Sequence, residues 1–394
     1  MAGLVALLAA IILAGCGTSR PHTTSEIQKA MDEGGTVFFP PGTYDLTQTI
    51  VLRKSNTIVL GSGPGTVFVF KPSLPQIQCV NDRAFTTACD LFFTPRREIL
   101  GPIAVGDTTF TAATGVSDLQ VGDWLIVEEM DRLAGDVVVI DWAQVASTSG
   151  NIVNVQTPFR TVFPNARPWD PKNSGLGFFR SPQPVTGVTF RDFTLVIPDS
   201  GQGAPGISVF AAQQTLIQNV AVVNANGQPL YSYMAKDLVV QGSYGKSSPT
   251  LNEFAATVDL VLDGNTFVSD GDAGVGLDFG TGFFEVRENN IPSSFNIGLY
   301  LLDGVHNGTV FDNSIGFVGD SVALGNASGI VARGTQRLNI NNNYLAGGYG
   351  ASSVGISIGP AYGLDVPIPS TANQISPNNF GPQWGVDYDP TNAP

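Results

Sequence analysis

A short phrase keeps returning in this chain. It reads DGNTF at Asp263 to Phe267, ENNI at Glu288 to Ile291, DNSI at Asp312 to Ile315 and NNNYL at Asn341 to Leu345. Gly-led apolar segments lie between the copies: GVGLDFG from Gly274, GLYLLDG from Gly298, GIVARG from Gly329 and GISIGP from Gly355. Comparable turn residues are Asp192, Asn219, Gln241, Asn265, Asn290, Asn313 and Asn343, at successive spacings of 27, 22, 24, 25, 23 and 30. One turn of a three-sided coil needs about this length at ~3.3 Å per strand residue. An Asn recurring in a turn while aliphatic pairs recur in strands marks stacked β coils. Their side-chain amides bond along the stack and satisfy groups buried in the turns.

The start of the chain says how such a stack is closed. Thr23 to Met31 reads as one helix, capped by Thr24 or Ser25, with Ile27, Ala30 and Met31 on one face and Asp32 to Gly35 as its stop. A strand, a Pro-Pro-Gly turn and another strand follow (GGTVFFPPGTYDLTQTIVL), then IVLGSGPGTVFVF. From Ser25 to Phe70 this resembles the N-terminal cap and first rungs of the pectate-lyase-like, right-handed parallel β-helix superfamily. The likeness rests on the helix, on Gly34 to Tyr44 and on the turn Gly61 to Thr66. It implies an all-β solenoid whose helix covers the open strand edges, and a carbohydrate as substrate class.

The rhythm breaks between about Ile99 and Phe163, where DTTFTA, VGDWLIVEE, DVVVIDWAQVAS and GNIVNVQTPF alternate as strands with one wet face. The expected organisation is a leader at 1–15, a tether at 16–24, cap and first rungs at 25–98 and an inserted antiparallel module at 99–165. The main coil follows at 166–363, and a tail at 364–394 folds over the last rung or stays loose.

Leu4 to Ala14 is an uninterrupted apolar run, too short for a bilayer-spanning helix, and it reads as a signal segment. It ends Leu13-Ala14-Gly15-Cys16, which resembles the lipobox of bacterial lipoproteins; that likeness implies a lipidated Cys16 and anchorage to a cell envelope. An ordinary cleaved signal peptide is the alternative. Export permits a disulfide between Cys79 and Cys89, worth about 2–3 kcal/mol, against two reduced buried thiols. The net charge of −14 argues against nucleic acid and anionic membrane surfaces as partners, since both need a basic face. With His22 and His306 as the two His of the chain, a zinc cluster is not expected.

Aligning the Gly-led strands on their Gly points Val275, Leu299, Ile330 and Ile356 inward, with Leu277, Leu301, Ala332 and Ile358 two residues on. The outward columns are Gly276, Tyr300, Val331, Ser357 and Asp278, Leu302, Arg333, Gly359. Rungs ~4.8 Å apart put Asp278 and Arg333 roughly 10 Å apart. The family resemblance makes this the carbohydrate face, with Tyr300 as a sugar platform. Two chemistries suit it. A lyase would hold Ca²⁺ on Asp and take a proton beside a uronate. A hydrolase would use two carboxyls.

The candidate catalytic residues are Asp278, Arg333 and Asp303. Tyr300 and Asp272 are the substrate-binding candidates, and Asp270 with Asp272 is a weak Ca²⁺ pair. Asp320 opens a similar loop. The competing reading of each Asp is a turn-former. Trp124 and Trp142 read as core of the inserted module, and His306 as a turn residue. The polygalacturonase signature and the Arg-x-Pro-x-x-Arg of the best-known pectate lyases are both absent. A polysaccharide lyase or glycoside hydrolase is therefore expected beside a non-catalytic glycan-binding or structural surface protein.

Overall fold

The computed structural model describes residues 23–389, apart from 72–82, 88–94, 199–204, 320–326, 349–352 and scattered positions (132, 134–135, 173, 182–183, 225–226, 249, 362–363, 365, 385). The expectations for Cys16, for the Cys79–Cys89 pair and for Asp320 lie outside the described residues.

Parallel strands wind into a three-faced stack. One face is a sheet of ten parallel strands, from Ile50–Val51 through Ala273–Asp278, Ile297–Leu302 and Ser328–Arg333 to Val386–Asp389. The other two faces join into an 18-stranded sheet. A single coil shows the pattern: Val258–Asp263 on the first face, Thr266–Ser269 on the second and Ala273–Asp278 on the third. Alternate residues of Val258–Asp263 are buried, with Leu260 and Leu262 entering one continuous core and Val258 packing toward the inserted module. The third-face register pairs Val275 with Leu299, Leu299 with Ile330 and Ile330 with Ile356, all fully buried.

The corners are held by side chains. Asn289 Oδ1 accepts from the backbone N–H of Asn265, Asn313 Oδ1 from that of Asn289, and Asn343 Oδ1 from that of Asn313, at 3.0–3.1 Å. Each Asn also donates to a backbone carbonyl, as Asn313 does to Val286 at 2.8 Å. The ladder begins at Ser243 and ends at Asn378. The residue before each rung of it, Gly264, Glu288, Asp312 and Asn342, sits in the left-handed region at φ 62°, 55°, 56° and 52°. The ladder residue is Asn289 rather than the expected Asn290, which is exposed. Gln241 lies on the rung of Ser243 and Asn219 one rung nearer the N-terminus, and neither side chain is a member of the ladder.

The helix Thr24–Glu33 buries Ile27 and Met31 in the main core, and Ala30 only in part. Its cap is Thr23, one residue earlier than expected, in a reciprocal pair with Glu26. The helix pairs with the edge of the first coil: Gln28 bonds both the N–H and the carbonyl of Val51, each at 2.8 Å.

The inserted module is a closed antiparallel barrel of six strands: Arg97–Leu100, Thr109–Ala112, Trp124–Met130, Val137–Ser149, Ile152–Val155 and Gly175–Ser181. It reaches past the expected 99–165 stretch because Gly175–Ser181 pairs with both Trp124–Met130 and Arg97–Leu100 and closes the cylinder. The tail likewise continues the stack: Gln374–Ile375, Asn379–Gln383 and Val386–Asp389 form a tenth coil. Among the described residues no helix is long and apolar enough to cross a membrane.

Asn313→Ala is expected to lower stability by about 2–4 kcal/mol in urea unfolding, because several buried partners lose their bonds at once. Asn290→Ala is expected to change it by less than about 0.5 kcal/mol. Equal effects at the two positions would remove the ladder from this account.

Candidate functional site

Three carboxyls gather on and beside the third face, next to the barrel. Asp278 ends the strand Ala273–Asp278, and Glu253 lies on the neighbouring strand Asn252–Ala255, where Glu253 pairs with Gly276 and Ala255 with Asp278. Rung and strand spacings put the Cα atoms of Glu253 and Asp278 roughly 8 Å apart. Asp303 follows Leu302, the next residue along the stack from Asp278, in a left-handed turn at φ 48°. The backbone N–H of Gly280 donates to the Asp303 carbonyl at 2.9 Å, which fixes the two turns side by side.

The barrel forms one wall. The corners carrying Asp278 and Asp303 pass through Gly280 and Gly304, and both glycines are needed for space as well as for positive φ. A Cβ on Gly304 would lie 1.9 Å from the Val138 carbonyl oxygen, and one on Gly280 would lie 2.8 Å from the Val138 carbonyl carbon. Further along, Val138 packs on Ala361, Leu364 and Ile368. On the other side Trp142, Ile126 and Val137 pack on Met234, Ala256 and Val258, with Tyr233 and Trp124 at the margin. Trp124 and Trp142 thus belong to the seam between barrel and coil, their ring centroids 6.0 Å apart.

Ion pairs lock that seam. Arg160 bridges Asp141 of the barrel at 3.3 Å and Asp259 of the coil at 2.7 Å. Arg167 pairs with Glu129 and Asp131 and donates to the Val366 carbonyl at 2.8 Å. The pair that crosses the seam, Arg160–Asp259, is partly exposed, while the buried Arg167 pairs lie within the module and Arg167 reaches the coil through the Val366 carbonyl.

Burial beside other carboxyls sets the electrostatics. Burial first, and then Asp303, push the Asp278 carboxyl up to about 8, against a 2.7 Å hydrogen bond from the Phe279 N–H that favours the ionised form. Burial, then Asp136 and Asp272, raise Glu253 to about 7. Burial, then Asp136 and Asp131, raise Asp303 to about 6. Gln228 donates to Glu253. Tyr300 pairs with Gly276 and Val331 in the outward column, and its hydroxyl is raised by burial and then by Asp278. Tyr231 stands next to Glu253 on the neighbouring strand.

The structure brings together Asp278, Asp303 and Tyr300 of the expected site residues. Arg333 is two rungs from Asp278 in its column, but its guanidinium bonds the Ser357 hydroxyl at 3.1 Å, on the side away from Asp278. Asp270 is exposed and paired with Lys246 at 3.1 Å. Among the described residues no group of three or more His, Cys, Asp or Glu is placed to hold a metal. Asp272 is half-buried and raised by burial, at the loop entering the third face. His306 is not in a turn but opens the strand His306–Phe311. It is buried, bonded to the Gly304 carbonyl at 2.8 Å and lowered by burial to about 4, which favours the neutral ring. Glu253 escaped the sequence reading because its strand begins with Asn252 instead of the Gly on which the others align.

The family model of the LAM55 pectate lyase-like domain matches residues 17–87. The fold is that of the pectate-lyase-like parallel β-helix. Solved structures of similar shape include the tailspike gp49 of Pseudomonas phage LKA1, with a TM-score of 0.58 at 14% identity over 82% of this chain and 57% of that one. The tailspike gp61 of Pseudomonas phage phi297 gives 0.55 at 14% identity over 95% and 60%. The A-module of the Azotobacter vinelandii mannuronan C-5 epimerase AlgE4 gives 0.50 at 12% identity over 95% and 90%. This β-helix therefore spans under two thirds of the two tailspikes. Among proteins of curated function, none matches it in sequence.

The raised carboxyls make a stability prediction. A folded-state value above the ordinary one means that the folded chain holds a proton which the unfolded chain releases above about pH 4. This contribution is fully favourable below that pH and is lost as pH rises toward about 8, the Asp278 value. Asp278→Asn is expected to be more stable than the parent near pH 8, with the gap closing near about pH 4. A gap that is the same at both ends contradicts the assignment.

Proposed function

We propose that this chain is a glycoside hydrolase acting on a neutral or weakly charged polysaccharide laid along the third face beside the barrel. The observation that carries the reading is the split among neighbouring carboxyls, with Asp278 at about 8 and Asp303 at about 6. Near neutral pH the first holds a proton and the second is ionised. That is the division of labour a glycosidic bond needs: one group protonates the departing oxygen, the other acts as base or nucleophile. In this reading Asp278 is the general acid, Asp303 its ionised partner, Tyr300 a stacking platform, and Glu253 a third carboxyl that keeps the floor acidic.

The acidity of the floor favours hydrolysis over the lyase reading. A uronate chain would meet Glu253, Asp278 and Asp303 with its own negative charges. The arginine nearest in the column, Arg333, is turned to Ser357. The likeness to a mannuronan epimerase module supports a polysaccharide as ligand class and carries nothing about its charge, since mannuronan is itself a uronate chain. Envelope anchorage through Cys16 is also our proposal, supported by the apolar run and the Leu13-Ala14-Gly15-Cys16 junction.

Soluble protein starting after Cys16 is to be incubated with neutral and acidic polysaccharides, with and without Ca²⁺, following reducing ends and unsaturated uronates. Reducing ends without unsaturation are expected, and Asp278→Asn and Asp303→Asn each should lower the rate at least about 100-fold. Unsaturated products would transfer the assignment to a lyase. Binding without any product would favour a non-catalytic glycan-holding protein.

A further inference from the structure

We infer that Thr281 is a positioning residue for the Asp278 carboxyl, acting through the turn that follows Asp278. The kinetic consequence rests on the hydrolase reading; the structural one does not. What points to it is an extra residue at two corners of the stack. Where the third face turns into the first, the usual corner leaves two residues between strands, as between Tyr233 and Lys236, Ala255 and Val258, or Arg333 and Gln336. One of the two is left-handed: Met234, Ala256 and Gly334, at φ 52°, 46° and 63°. Asp278 and Gly282 are separated by three residues, and so are Leu302 and His306. Each of these wider corners takes two left-handed residues, Phe279 and Gly280 at φ 51° and 71°, Asp303 and Gly304 at φ 48° and 88°. They are the corners that carry the carboxyls, and their glycines meet the Val138 backbone.

A wider turn has more ways to settle, and Phe279 holds a Cβ in a region that disfavours one. The Phe279 N–H donates to Asp278 Oδ1 at 2.7 Å, so the path of this turn fixes where the carboxyl points. Thr281 closes the turn twice. Its N–H donates to the Asp278 carbonyl at 3.1 Å, and its hydroxyl lies 2.7 Å from the same oxygen and 2.9 Å from the Phe254 carbonyl. That hydroxyl also accepts from the Thr257 N–H at 3.1 Å, which ties the turn to the preceding coil. The Asp303 corner is built without this device. Val305 stands there in the place of Thr281, and its N–H reaches the Leu302 carbonyl at 3.3 Å. The competing reading is that Thr281 only holds coil to coil. Thr257 does so one coil earlier, with its hydroxyl 2.9 Å from the Ala255 carbonyl and 2.7 Å from the Ser232 hydroxyl.

The test compares Thr281→Val and Thr281→Ser with Thr257→Val, which removes a buried hydroxyl of the same corner column. Two readouts are taken: kcat and KM on the polysaccharide that the parent cleaves, and hydrogen exchange of the Phe279 amide by NMR. Thr281→Val is expected to lower kcat at least about 10-fold with KM within about twofold of the parent. It should also speed exchange of the Phe279 amide roughly 10-fold. Thr281→Ser should match the parent, and Thr257→Val should lose stability with neither change. Equal effects of the two Val variants in both readouts would overturn the inference, leaving Thr281 a corner hydroxyl. If Thr281→Val does not fold, Thr281→Ala, which leaves room for a water, is read against Thr257→Ala in the same way. If the parent cleaves no polysaccharide, the hydrolase reading fails and the amide exchange alone decides the role of Thr281.

Discussion

Main-chain hydrogen bonding between successive coils is the constraint on which everything else here depends. A parallel stack satisfies its backbone groups only if every coil lies in register with the coils before and after it. The corners threaten that register, because a turn leaves N–H groups buried with no strand partner. The Asn ladder answers this by giving each buried N–H an oxygen from the next coil. A left-handed residue before each Asn supplies the turn that aims it. Once the corners repeat, an outward position on the third face recurs at each rung, and side chains far apart in sequence become neighbours in a column.

The barrel turns such a column into a site. Exposed carboxyls on an open sheet would have ordinary acidities, since water and salt screen them. Here a small closed domain is set against the corners that carry Asp278 and Asp303, through backbone contacts at Gly280 and Gly304, the Arg160–Asp259 ion pair and the hydrogen bond from Arg167 to the Val366 carbonyl. Burial is the leading cause of the raised proton affinity at Glu253, Asp278 and Asp303, and carboxyl neighbours add to it. Stability is sacrificed at neutral pH to keep a proton on the floor, a common arrangement where chemistry is done.

The repeat made the solenoid, its inward columns and the position of Tyr300 above Gly276 legible before any coordinates. Periods of 22 to 30 residues show on inspection, and β-strand alternation does the rest. What stayed hidden depended on tertiary neighbours. Asn289 and Asn290 are indistinguishable by type, and only the turn geometry says which one faces the ladder. Gly175–Ser181 reads like any coil strand until Trp124–Met130 is there to pair with it. Glu253 lacked the glycine that marks its sister strands. Arg333 stands in the expected column, and its bond to Ser357 on the next rung is a partner that spacing alone does not show.

The most direct measurement is a pH titration of the aspartate carboxyl signals by NMR on protein with labelled Asp, assigned by comparison with Asp278→Asn. The account predicts one carboxyl, absent from the variant, that keeps its proton to about pH 8. If every Asp signal has completed its titration by about pH 5, as ordinary exposed carboxyls do, the site beneath the barrel is not what is described above.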